Sequence, residues 1–165
     1  MVRLLAKPQP RHPPLPGLFM ATRRPYSGCM TNPAATSIAP SLAYIEALVH
    51  DTLSTLPEAF RAPAMLVRLR IEDFAEEEML EALDLTDAFE LTGLYEGIPL
   101  TEKSVMDQPT GPDTIWLFRR PILDEWAERG DVSIGDMVTH VLIHELAHHF
   151  GWSDADIAKI DPWWE

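Results

Sequence analysis

His144-Glu145-Leu146-Ala147-His148-His149-Phe150-Gly151-Trp152-Ser153-Asp154 is the stretch on which the reading of this chain turns. Its first five residues spell H-E-x-x-H. Around them Val138, Val141, Leu142, Leu146 and Phe150 recur at helical spacing and supply one apolar face. Ser133 with Asp136 is a capping-box pattern that starts this helix, and Gly151 is a natural stop. Side chains four apart on a helix sit one turn apart on the same face. His144 and His148 can therefore meet one metal ion, with Glu145 beside them in reach of a water on that ion. Two imidazoles and a neighbouring carboxylate at this spacing are the ligands and general base of zinc-dependent peptide hydrolysis.

Two histidines leave a catalytic zinc short of its three protein ligands and one open position. Gly151 lies three residues past His148 and can take the left-handed turn that ends the helix and folds the chain back under the metal. Asp154 then places a carboxylate oxygen at the ion, and the pattern extends to H-E-x-x-H-x-x-G-x-x-D. Asp154 also has a plainer reading, as an acid favoured by the dipole of a short helix that Ser153 begins. A distant Glu ligand is hard to supply, because Glu165 is the only Glu after Asp154, and Asp156 and Asp161 stand outside the pattern. His149 points ~100° away from His148 and reads as a partly buried histidine bonded to backbone or a carboxylate. His140, one turn before His144, is either a plain helix residue or a group that orients a ligand. His12 and His50 carry no signal.

Outward from this helix the chain reads as α+β with one small sheet. Ser41 caps a helix whose apolar positions are Leu42, Ile45, Leu48, Val49 and Leu53, and Pro57 ends it. Residues 65–71 alternate as a strand. Asp73 and Glu76 suggest a capped short helix to about Leu83. Residues 91–97 form a short strand between glycines, and residues 108–113 a turn. Thr114 to Arg119 is apolar on both alternations and reads as a buried strand. Pro121 starts a helix that Gly130 ends.

At 165 residues and 46% hydrophobic, the chain suits one domain with a real core. Residues 1–40 hold eight of the 15 prolines and read as a disordered tail or an over-extended start, with Met20 and Met30 as later starts; the domain is expected over 41–165. The first 45 residues carry a net +5 and the remainder a net −18. So acidic a body repels phosphate backbones, which argues against nucleic-acid binding. It can attract cationic peptides, or simply be a soluble acidic surface. The Glu76-Glu77-Glu78 run reads as a solvated helix face. Cys29 is the sole cysteine, which rules out an intramolecular disulfide or a Cys-based zinc site and suits a reducing compartment. No apolar run approaches the ~20 residues of a membrane span. Prolines at 8, 10, 13, 14 and 16 interrupt any signal-peptide core. A cytoplasmic protein is expected.

Four pieces of the chain, Leu56-Pro57-Glu58-Ala59-Phe60, Gly93-Leu94-Tyr95-Glu96-Gly97-Ile98-Pro99-Leu100, Leu117-Phe118-Arg119-Arg120-Pro121-Ile122-Leu123 and His144 through Asp154, resemble a family of small bacterial zincin-like metallopeptidases. The resemblance spans Ser41 to Asp161, and its last piece is the most specific. It implies a minimal zincin fold, a small twisted mixed sheet packed on an active-site helix and a backing helix. It further implies that His144 and His148 bind zinc and that Asp154 is the third ligand, as in the snapalysin-like pattern. No methionine follows Met137, so the chain lacks the Met-turn of metzincins. Tyr95 is either a hydrogen-bond donor to an oxyanion or a packing residue. The activity expected is hydrolysis of a peptide or protein substrate, with Glu145 moving the proton. The alternatives are a non-catalytic zinc-binding interaction module, a pseudo-peptidase, and a zinc amidase acting on a non-peptide substrate.

Overall fold

The computed structural model describes residues 2–5, 38–104 and 111–159. In chain order the elements are β1 (Val2–Leu5), α1 (Leu42–Thr55), α2 (Glu58–Ala64), β2 (Arg68–Glu72), α3 (Glu77–Ala82), a 3-10 turn at Ala88–Glu90, β3 (Gly93–Glu96), β4 (Thr114–Phe118), α4 (Arg119–Arg129), α5 (Ile134–His149) and α6 (Asp154–Ile157). The strands form one mixed sheet in the order β1-β3-β4-β2. β4 runs parallel to β2 and antiparallel to β3, and β1 runs antiparallel to β3. The fold is α+β, as the sequence implies.

α5 lies across one face of the sheet because its apolar stripe matches the inward positions of the strands. Met137, Val138, Val141, Leu142 and Leu146 pack with Ile45, Val49 and Leu53 of α1 and with Tyr95, Ile115 and Leu117 of the sheet. Thr52 and Thr139 share a hydrogen bond of 2.8 Å between the two helices. Side chains alternate faces along a strand, so Leu94 and Phe118 point the other way. There, with Leu91, they meet Met79, Leu80 and Leu83 in a second, smaller core. β4 is buried on both faces, which is why its sequence is apolar at every position but one. β2 lies at the sheet's edge. Leu69 and Ile71 turn inward while Arg68, Arg70 and Glu72 are exposed.

Local capping explains most helix starts. Ser41 accepts the Tyr44 N–H, and Ser133 accepts the Asp136 N–H. Gly130 ends α4 in the left-handed region at φ 69°.

Four details differ from the sequence reading. The strand expected from residue 65 begins at Arg68, because Glu58–Ala64 forms the unforeseen helix α2. At seven residues α2 is too short for helical periodicity to show, and Pro63 inside it argued against a helix. Asp73 and Glu76 make no cap on α3. Asp73 instead pairs with Arg119 at 2.6 Å, and Arg119 also donates to the Pro40 carbonyl at 2.9 Å. α4 starts at Arg119, two residues before Pro121. Finally, all of residues 1–40 were set outside the fold, whereas Val2–Leu5 pairs with β3. Cys29, most of the turn read at 108–113, and Ile160, Asp161, Trp163 and Trp164 lie outside the described residues. No helix among the described residues is long and apolar enough to cross a membrane.

Candidate metal centre

α5 carries His144, Glu145 and His148 on the side that faces α6 and β3. Their helix ends in a Schellman turn: the Trp152 N–H returns to the Ala147 carbonyl and the Gly151 N–H to the His148 carbonyl, both at 3.0 Å. Gly151 takes φ 95°, and a Cβ there would collide with Thr101. Only glycine suits both demands. The reversed chain then enters α6, where Ser153 and Asp156 form a reciprocal capping box. Asp156 therefore serves the cap. Asp154 does not, and its carboxylate turns back to α5.

Asp154 Oδ1 lies 3.3 Å from His144 Nε2 and 3.2 Å from His148 Nε2. One ligand atom from each of the three residues lies within 4.8 Å of the others. Tetrahedral zinc with bonds of 2.0–2.1 Å separates neighbouring ligand atoms by about 3.4 Å, so the spacing suits that ion. His148 supplies the sharper test. Its Nδ1 lies 2.9 Å from the Trp152 carbonyl, an acceptor only, so Nδ1 carries the proton. In the neutral ring Nε2 is then a bare lone pair. It is fully buried, without a hydrogen-bond partner, and faces a carboxylate oxygen. Two lone pairs this close call for a cation between them, and the donor set of two imidazoles and a carboxylate suits zinc.

The electrostatics agree with that use. Burial lowers the His144 pKa more than Asp154 raises it, which leaves the imidazole neutral and ready to donate a lone pair. His144 and His148 are nearly or fully buried, whereas the Asp154 side chain is 67% exposed, so the site opens on the α6 side. Glu145 is fully buried, with the Tyr95 backbone N–H as the polar group that acts on its carboxylate. Burial raises its pKa well above normal, the Asp154 charge adds to this, and the Tyr95 backbone N–H pulls it partly back.

The neighbouring histidines divide. His149 is buried on another side of α5, with Nδ1 3.3 Å from both the Tyr95 hydroxyl and Asp113 Oδ2. Asp113 is also ion-paired to Lys103. Tyr95 is fully buried, so it packs against His149 and does not line an open cleft. The His140 ring stands 6.2 Å from that of His144, outside the three-residue group. Gly93 was missed as a site residue. A Cβ on it would lie 2.8 Å from Val141 Cγ1 and 3.0 Å from Glu145 Oε1, so glycine lets β3 pass close over Glu145. A glycine inside a strand is the signal of such an approach.

An α+β fold whose sheet lies on a helix carrying H-E-x-x-H, with the two histidines and a downstream acid around one point, defines the zincin class. The chain belongs to the zincin-like metallopeptidase family, whose model matches residues 65–164. That family implies a zinc cofactor. No curated protein matches the chain.

Proposed function

We propose that this chain is a zinc metallopeptidase in which His144, His148 and Asp154 hold the metal and Glu145 is the general base. The observation that carries the reading is Glu145: a fully buried carboxylate next to three groups arranged for one cation. A bound zinc supplies Lewis acidity towards a peptide carbonyl and makes water a usable nucleophile near neutral pH. The chain's own residues do the rest. Asp154, with its side chain exposed to solvent, brings negative charge to the cation. The Trp152 carbonyl fixes the His148 tautomer, so Nε2 always presents its lone pair. Glu145 accepts the proton of the attacking water at a carboxylate oxygen and hands it to the leaving amine. Its raised pKa suits both halves of that transfer. The substrate is an extended peptide, and the acidic body favours a cationic one.

The test is Glu145→Gln, with zinc measured per chain and cleavage followed on a quenched peptide library with and without chelator. The variant keeps its zinc and loses hydrolysis by about 10²–10⁴-fold. Full turnover in the variant removes Glu145 from the role. The complete burial of Glu145 and His148 favours a second reading, a zinc-stabilised interaction module without turnover. One zinc per chain with no cleavage in either protein selects it.

A further inference from the structure

The sheet comes closest to the base at the outer edge of β3. Thr92 turns its carbonyl towards β4, where it accepts the Phe118 N–H at 2.9 Å. Backbone polar groups alternate sides along an antiparallel strand, so those of Gly93 and Tyr95 point away from β4. Gly93 is also the residue whose missing Cβ lets β3 pass over Glu145. An extended peptide laid along this edge gains main-chain hydrogen bonds from Gly93 and Tyr95 and runs beside Glu145.

That edge already has an occupant. Val2–Leu5 runs antiparallel to β3, with Arg3 opposite Tyr95 and Leu5 opposite Gly93, and it also lies against α5. Glu145 and His148 are at the same time fully buried.

We infer that the outer edge of β3 is a seat for an extended peptide and that the chain's own Val2–Leu5 fills it, so that a substrate binds by replacing β1. This rests on the peptidase reading only for the word substrate; the exchange of strands is a binding event that stands apart from turnover.

The experiment compares the zinc-loaded full chain with its Arg3→Pro/Leu5→Pro variant. Proline removes the N–H groups at the two β1 positions paired with Tyr95 and Gly93. The probe is a fluorescently labelled peptide of residues 1–7, Met-Val-Arg-Leu-Leu-Ala-Lys, followed by anisotropy. The variant binds it roughly tenfold more tightly or better, since its edge no longer has a competing strand at high effective concentration. Equal binding by both chains, or binding by neither, overturns the proposal. Amide hydrogen exchange on the unaltered chain is a second measurement that needs no variant. The Gly93 N–H is protected in low salt, because Leu5 pairs with it. A Gly93 N–H that exchanges freely in low salt overturns the proposal as well. Where peptide cleavage is measurable, the variant lowers KM and leaves kcat unchanged. Tight peptide binding by the zinc-loaded variant without any cleavage removes the peptidase reading and leaves the strand exchange standing.

Discussion

His148 and His149 are neighbours on one helix, and both are buried, yet they belong to different structures. His148 turns to the reversed chain after Gly151, where Trp152 takes its Nδ1 proton and Asp154 faces its Nε2. His149 turns to the sheet side, where Tyr95 and Asp113 take its Nδ1. The step of ~100° between successive helix residues separates them. The first set of partners leaves a lone pair aimed at an anion, which is a place for a cation. The second joins the segment around Asp113 and Lys103 to the end of α5, where the Leu100 N–H also bonds the His149 carbonyl at 2.8 Å. Residue type and burial are the same in the two cases, so the partners alone separate a candidate metal ligand from a clamp.

Four substitutions can break or sharpen this contrast. His148→Ala removes one of three ligands: zinc per chain falls towards zero and hydrolysis drops by about 10³-fold or more. The stabilisation that zinc adds, about 2.7 kcal/mol at a hundredfold excess over Kd, disappears from its thermal unfolding curve. Retention of one tightly held zinc would show that His148 is not a ligand. Gly93→Ala pushes a methyl group into Val141 and Glu145. Overpacking of this kind costs about 1–3 kcal/mol. The variant keeps zinc while kcat falls, and an unchanged kcat means that β3 does not position the base.

His149→Ala takes one partner from the Asp113 carboxylate, which keeps Lys103, and one from the Tyr95 hydroxyl, a loss of about 1 kcal/mol by denaturant unfolding. Its zinc affinity changes by no more than about tenfold. A loss of metal equal to that of His148→Ala would erase the contrast. The smallest effect belongs to Asp73→Asn, far from both sites. Arg119 donates to Asp73 and depresses its pKa, so the pair stabilises the fold above the ordinary carboxylate pKa, and the contribution is lost as pH falls through the depressed value. The pair is exposed, which limits its worth to ~1 kcal/mol or less. Thermal melts should show a small gap between the two proteins at neutral pH that closes in acid, and a gap that widens in acid contradicts the assignment.

The legible part of this protein is the part made of local rules. Ser133, the apolar stripe of α5, the glycine stop and the Ser153 cap all act within a few residues of the structure they specify, so the helix, its end and the return of Asp154 can be read along the chain. Asp154 carries two readings there, ligand or helix-start acid; it stands in the first turn of α6, and its carboxylate lies 3.2–3.3 Å from the two imidazoles. Helix α2 escaped notice because seven residues are too few to establish a period. Strand β1 escaped because its partner is some ninety residues away and nothing in Val2–Leu5 itself names that partner. Gly93 resembled an ordinary strand-end glycine until the sheet was laid on α5.

From its sequence alone this chain specifies an α+β domain and one helix face bearing two imidazoles and a carboxylate, because helical geometry converts spacing into direction. Which groups stand opposite that face depended on the tertiary structure. The lone pair of His148 against Asp154, the clamp at His149, the close pass of β3 over Glu145 and the strand that fills its edge are all contacts between distant segments. No local preference encodes them; the packing of the sheet on α5 does.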